Sequence, residues 1–133
     1  MIEDQIKLGE QIHGHLGPFL VVGLKMGNLA LEKLNAKKYF GINVCADTGT
    51  ITPMSCMLDG IQVSTGCTLG KGNIKVSDKR VPRAIFESNG TSCTIELRVE
   101  WLEKIRALLK EQNERIVADL IWKTSPNDLF DVS

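Results

Sequence analysis

Apolar residues recur at helical spacing through the first third of the chain. Ile2, Ile6, Gly9 and His13 fall near one face of the segment 2–16, which predicts a first helix. Gly14, Gly17 and Pro18 interrupt it. Pro18 suits the first position of a new helix, where its missing N–H is not needed. The spacing then predicts a second helix to residue 34. Phe19, Val22, Met26, Leu29 and Ala30 form its stripe, and Leu20, Leu24 and Leu31 widen it. A helix apolar on most sides belongs at the centre of a fold. Gly23 and Gly27 share that helix at a spacing that favours close helix packing.

The period then changes to two. Phe40, Ile42, Val44 and Ala46 alternate with their neighbours, which predicts a strand over 39–46. A turn-rich loop follows at 47–53, then a short helix over 54–64 with Cys56 and Asp59 three apart. The glycine-rich segment 65–73, TGCTLGKGN, predicts a tight loop. Short strands are expected at 74–76 and 81–87. A clearer one holds Cys93, Ile95, Leu97 and Val99 after the Asn89-Gly90 turn. The last third predicts one long amphipathic helix over 101–122. Its buried face holds Leu102, Ile105, Leu109, Ile116 and Leu120, and Glu100–Lys104 and Glu111–Arg115 are favourable pairs on it. A tail then docks Leu129 and Phe130 on a neighbour. The expected fold is α+β: two N-terminal helices, a small mixed or antiparallel sheet around a central Cys/Gly loop, and a long C-terminal helix.

Composition narrows the class. A chain of 133 residues suits one domain with one core. Sixteen basic and sixteen acidic residues balance, so charge gives no sign of a nucleic-acid or anionic-membrane partner. The opening MIEDQIKLGE has no apolar signal core, and the longest uncharged stretch near it is too short to cross a bilayer. A cytoplasmic protein is expected. In that setting Cys45, Cys56, Cys67 and Cys93 are expected as thiols or metal ligands rather than disulfides. The apolar second helix and Trp101 and Trp122 suggest a homodimer.

Chemistry concentrates in two places. His13 and His15 are two apart. On a helix they diverge by about 200°; in extended backbone they share a side. They reach one ion only if the first helix has ended, and otherwise they are one apolar-face and one exposed histidine. Cys56 lies near a helix start, where the dipole favours a thiolate, and Cys67 lies in a loop whose glycines admit close approach. The alternative for each is a small buried hydrophobe, and Cys93 on an apolar strand face fits that description. Two thiols and two imidazoles make an S₂N₂ set suited to zinc or another divalent transition metal. Asp59 is either a partner for a histidine or a surface acid. Gly70-Lys71-Gly72 lacks the spacing of a nucleotide phosphate loop, and Lys71 reads as a solvated lysine more readily than as an anion guide.

The segments HGHLGPFLVVGLKMG (13–27) and SCMLDGIQVSTGCTLGKGN (55–73) resemble the family named for the E-subunit of formylmethanofuran dehydrogenase. Its pattern is a His-Gly-His-x-Cys-Pro opening, a cysteine with an aspartate three later, and a Gly-Cys-Thr-x-Gly-Lys-Gly-Asn loop. The resemblance implies an α+β domain binding a metal, often zinc, through His13, His15, Cys56 and Cys67. One position departs: Gly17 stands where the family has cysteine. The cysteine-rich C-terminal extension of longer members is not in the sequence. The resemblance implies an accessory to a molybdenum or tungsten oxidoreductase, with that enzyme's subunits as partners. A stand-alone metalloenzyme and a metal-free interaction module are the other two readings.

Overall fold

A computed structural model describes residues 2–133. Helix α1 (Ile2–His13) leads into α2 (Pro18–Leu34), β1 (Asn43–Ala46), a 3₁₀ turn (Met54–Cys56) and α3 (Met57–Thr65). Strands β2 (Ile74–Val76), β3 (Arg83–Ser88) and β4 (Thr91–Leu97) follow. Helices α4 (Val99–Leu108), α5 (Glu114–Lys123) and α6 (Pro126–Leu129) lead to a last strand, β5 (Phe130–Val132). The side chain of Ile2, which spacing puts on the buried face of α1, lies outside the described residues.

The strands form one mixed sheet in the order β2-β1-β3-β4-β5. Only β1 and β2 run parallel; the other pairings are antiparallel. Register places Ile74, Val44, Phe86 and Cys93 in one row, with Ala46, Ala84 and Ile95 in the next. All seven are buried. This apolar face lies under α2, whose residues from Pro18 to Leu24 are all buried together with Met26, Leu29 and Ala30. The opposite face carries Asn43, Cys45, Ile85, Thr94 and Glu96 at intermediate or greater exposure. The α+β class and the central second helix are as the sequence predicts. Among the described residues no helix is long and apolar enough to cross a membrane.

The closest packing in the molecule is between α2 and α3. A Cβ on Gly23 would stand 2.1 Å from the Met57 carbonyl oxygen, and one on Gly60 would stand 2.1 Å from that of Leu20. A Cβ on Gly27 would stand 1.9 Å from Ser64 Oγ. Backbone therefore meets backbone at this crossing, and the Ser64 hydroxyl donates to the Gly60 carbonyl at 2.9 Å. The glycine spacing seen in the sequence has its use here.

Several expected elements differ: the strand expected to reach Val99 ends at Leu97, and Val99 is exposed at the start of α4. The strand over 39–46 begins only at Asn43: Tyr39 has positive φ, and Phe40 is 79% exposed. Ile42, Val44 and Ala46 do face inward. The long helix over 101–122 is two helices. The run Lys110 to Arg115 offers no apolar residue to bury, and Asn113 is a better cap than interior residue. Its side chain accepts from the Ile116 N–H at 3.0 Å and starts α5. Glu111 thus falls in the turn, and Arg115 pairs instead with Glu10 at 3.1 Å. Val117, Ala118 and Ile121 replace the half-exposed Ile116 on the buried face. The tail docks as expected, on the neighbouring strand: Leu129 and Phe130 are buried as β5 pairs with β4. The apolar surface of α2 is likewise consumed inside the fold, and Trp101 and Trp122 are half-buried against the core.

Asp47 ties the loop after β1 to the sheet. It is buried, and its carboxylate accepts from Ser77 Oγ at 2.7 Å and from Arg83 Nε at 2.7 Å. Its N–H donates to the Arg83 carbonyl, and its own carbonyl accepts from the Val81 N–H. Burial alone raises its carboxyl pKa. The Ser77 hydroxyl and the Arg83 and Lys79 charges outweigh that and hold it below the ordinary 3.8. A depressed carboxyl stabilises the fold above its unfolded pKa and loses that contribution as pH falls through the folded value.

Gly60→Ala forces α2 and α3 apart and is expected to cost about 1–3 kcal/mol or more in urea unfolding. Gly70→Ala, whose Cβ meets nothing nearer than 4.0 Å, is expected to stay within about 0.5 kcal/mol. Asp47→Asn is expected to cost about 1–3 kcal/mol at neutral pH. It should also flatten the loss of stability below about pH 4, read from urea midpoints across the acid range.

Candidate metal centre

Helix α1 stops at the histidine motif. The Gly14 N–H still donates to the Glu10 carbonyl at 2.8 Å, but Gly14 takes φ 96°, which turns the chain out of the helix. His15 consequently folds back beside His13, with ring centroids 4.7 Å apart and planes tilted by 42°. The helix has therefore ended before His15, as convergence of the two rings requires.

The two rings have different surroundings. The His13 side chain is only 11% exposed, and its Nδ1 lies 2.6 Å from Asp59 Oδ2 on α3. The carboxylate accepts, so Nδ1 carries the proton. In the neutral ring this leaves a lone pair on Nε2. Nε2 is buried and has no hydrogen-bond partner in the protein. A buried nitrogen left unpaired costs about 1–3 kcal/mol, so it calls for a partner that is not a protein group. His15 is half exposed, and its Nε2 lies 3.3 Å from Glu114 Oε2 at the start of α5.

Cys56 stands at the N-cap of α3 and is half-buried. It shares a cavity of about 340 Å³ with His13 and Asp59, walled also by Thr50, Thr52 and Leu69. The expected thiolate at a helix start is not favoured by this setting. Burial first, then the negative charges of Asp59 and Glu114, push the Cys56 thiol up. A cation in the cavity reverses both influences.

Cys67 sits elsewhere. It is fully buried, its Sγ donates to the Ile42 carbonyl oxygen at 3.2 Å, and burial pushes its thiol up. It does not line the cavity of His13 and Cys56. Among the described residues no group of three or more ligating side chains stands ready around one point. Of the four residues singled out in the sequence, His13, His15 and Cys56 are brought to one end of the helical layer, and Cys67 faces the β1 side of the loop.

The remaining candidates resolve as follows. Asp59 is the partner of His13. Lys71 donates to Thr68 Oγ1 at 3.0 Å and lies about 6 Å from the Tyr39 and Phe40 rings, away from the histidines. Cys45 is half-buried between Lys75 and Ile85, and Cys93 is buried in the core. All four cysteines are free thiols. Glu114 was not visible as a site residue: nothing local marks it, and it reaches His15 only because the C-terminal helix breaks at Asn113. The residues at the His13 cavity suit a borderline ion, with an imidazole nitrogen free, its other nitrogen fixed by a carboxylate, and a sulfur nearby.

Known proteins match the chain over most of its length. The family model described as FmdE, molybdenum formylmethanofuran dehydrogenase operon, matches residues 12–130. A probable S-adenosyl-L-methionine-binding protein of Archaeoglobus fulgidus is 31% identical over 107 residues, which is 80% of this chain. The chain spans 26% of the length of that relative. A crystal structure from Syntrophus aciditrophicus, of a protein like the E-subunit (FmdE) of tungsten formylmethanofuran dehydrogenase, superposes with a TM-score of 0.76 at 23% identity. The match covers 99% of this chain and 70% of that one, so the two share a fold. With both motif segments inside the matched span, the chain belongs to the FmdE family.

Proposed function

We propose that the chain is a metal-binding protein, holding zinc or another divalent transition ion, that serves as an accessory to a molybdenum or tungsten oxidoreductase of the formylmethanofuran dehydrogenase type. The observation that carries the metal reading is His13: Nδ1 fixed by Asp59, Nε2 buried and unpartnered. This is the arrangement in which a carboxylate sets the tautomer and orientation of a ligating ring. Cys56 is the sulfur that shares its cavity. The His15 ring lies beside that of His13, with centroids 4.7 Å apart, and Cys67 is a ligand only if its bond to the Ile42 carbonyl is given up. When bound, the ion would supply positive charge beside the cavity. The protein's own residues orient it, and the apolar wall from Leu58 and Leu69 limits water on one side.

The association with an oxidoreductase rests on the family's description and on the likeness to the FmdE-like structure. A stand-alone enzyme uses the same site and differs only in turning over a substrate in the cavity. We also propose self-association, through a face different from the one the sequence suggested. Leu8, Ile12, Tyr39, Phe40 and Leu69 are large exposed apolar side chains, and the first three line one cleft between α1 and the loop after α2. Charge gives no reason to look beyond the cytoplasm for its place of action.

Elemental analysis of untagged protein is expected to find about one ion per chain. His13→Ala should remove most of it, and Asp59→Asn should weaken binding by about 10–100-fold. Protein without stoichiometric metal, or His13→Ala retaining it, would end this reading. Light scattering at tens of micromolar is expected to give a dimer that Phe40→Asp converts to monomer; a wild-type monomer refutes the self-association.

A further inference from the structure

The histidine motif sits where two hollows meet. His13 faces the cavity with Cys56, while His15 lines an open groove between α1 and α5 together with Glu10, Gly14, Asn113 and Glu114. On the groove side one position is conspicuous for what it lacks. Gly17, the residue before α2, has φ −121° and ψ 166°, a conformation open to any residue. A Cβ there would stand 3.5 Å from His15 Nε2 and 3.9 Å from Glu114 Oε1, both ordinary contacts. A side chain at this position would therefore point among the candidate ligands. Glycine leaves the space to the Glu114 carboxylate.

The spacing is that of two ligands. Donor atoms at about 2.0–2.1 Å from a tetrahedral ion stand about 3.3–3.4 Å from each other. His15 Nε2 and Glu114 Oε2 are 3.3 Å apart. Carboxylate oxygen is an accepted zinc ligand alongside imidazole and thiolate. Glu114 is also held in place: Asn113 fixes the first turn of α5 by capping it, and Arg115 clamps the turn to Glu10 of α1. An acid in a first turn already suits the helix dipole, so a purely local role is the competing account.

We propose that Glu114 is a ligand of the ion, supplying from α5 the oxygen that closes the coordination sphere on the His15 side, in the place a side chain at residue 17 would otherwise fill. This rests on the metal reading given above. It makes the site one assembled from α1, α3 and α5, with His13 and His15 joined to Cys56 on one flank and Glu114 on the other.

The test compares wild type, Glu114→Gln, and Glu114→Gln combined with Gly17→Cys, each checked for unchanged thermal unfolding of the metal-free form. Zn²⁺ affinity is measured by competition with a chromophoric chelator, and Co²⁺ replaces zinc for absorption spectra. Glu114→Gln is expected to weaken Zn²⁺ binding by at least the ~10–100-fold that loss of an outer partner costs. Gly17→Cys in that background is expected to restore most of the affinity and to strengthen the sulfur-to-cobalt charge-transfer band. Affinity and cobalt spectrum unchanged in Glu114→Gln overturn the assignment while leaving a His13 site standing. A loss that Gly17→Cys does not recover overturns the shared position. Wild type that takes up neither Zn²⁺ nor Co²⁺ overturns the metal reading itself, and this assignment with it.

Discussion

The structure depends on a backbone-to-backbone crossing. Where α2 passes α3, Gly23 and Gly60 leave no room for a methyl group, and Ser64 packs into the notch at Gly27. The α3 residues of the site inherit their position from this contact. Cys56 and Asp59 stand at the first turn of α3, so the depth at which that helix lies on α2 sets how far Asp59 reaches toward α1. A side chain in the crossing would lift α3 and carry the carboxylate away from the imidazole. Close packing of this kind is intolerant of small additions, because neighbouring atoms already touch.

The second constraint is electrostatic. Asp59 and Glu114 bring negative charge to a half-buried thiol, and both bear on Cys56 in the direction that keeps its proton. A thiol whose thiolate is penalised in this way is a poor nucleophile and a poor redox centre. The same surroundings make a reasonable cation site, since two carboxylates and one lone pair become favourable together once positive charge arrives.

Much of this was legible in the residues. The stripe from Phe19 to Ala30 announced a central helix, and the alternation of Cys93, Ile95 and Leu97 announced a strand with a covered face. Gly14 between two histidines announced a turn that could bring the rings together. Other features were not legible. Phe40 continues the alternation of Ile42 and Val44, yet it lies outside the sheet on an exposed turn. The residues near Asn113 keep enough helical spacing to hide the break, and only the polar run and the cap betray it. Glu114 could not be found by spacing at all: its partner lies near the other end of the chain, and proximity of that kind is a product of the whole fold. Cys67 shows the converse. Its glycine-rich setting suggested an open loop, but Sγ is turned inward to a carbonyl.

The first helix closes one side of the site. Among its described side chains Leu8 and Ile12 are exposed and Ile6 packs on the core, and its ties to the body include the Gln5–Asn28 amide pair, the Glu10–Arg115 ion pair and the His13–Asp59 bond. A helix at the surface opens at a lower free-energy cost than the core. A guest bridging His13 to residues of α3 or α5 would add its binding free energy to that latch and to no other part of the molecule. Occupancy and the order of the N-terminal segment then form a single equilibrium, and amide protons of α1 would report the filling of a centre that none of them touches.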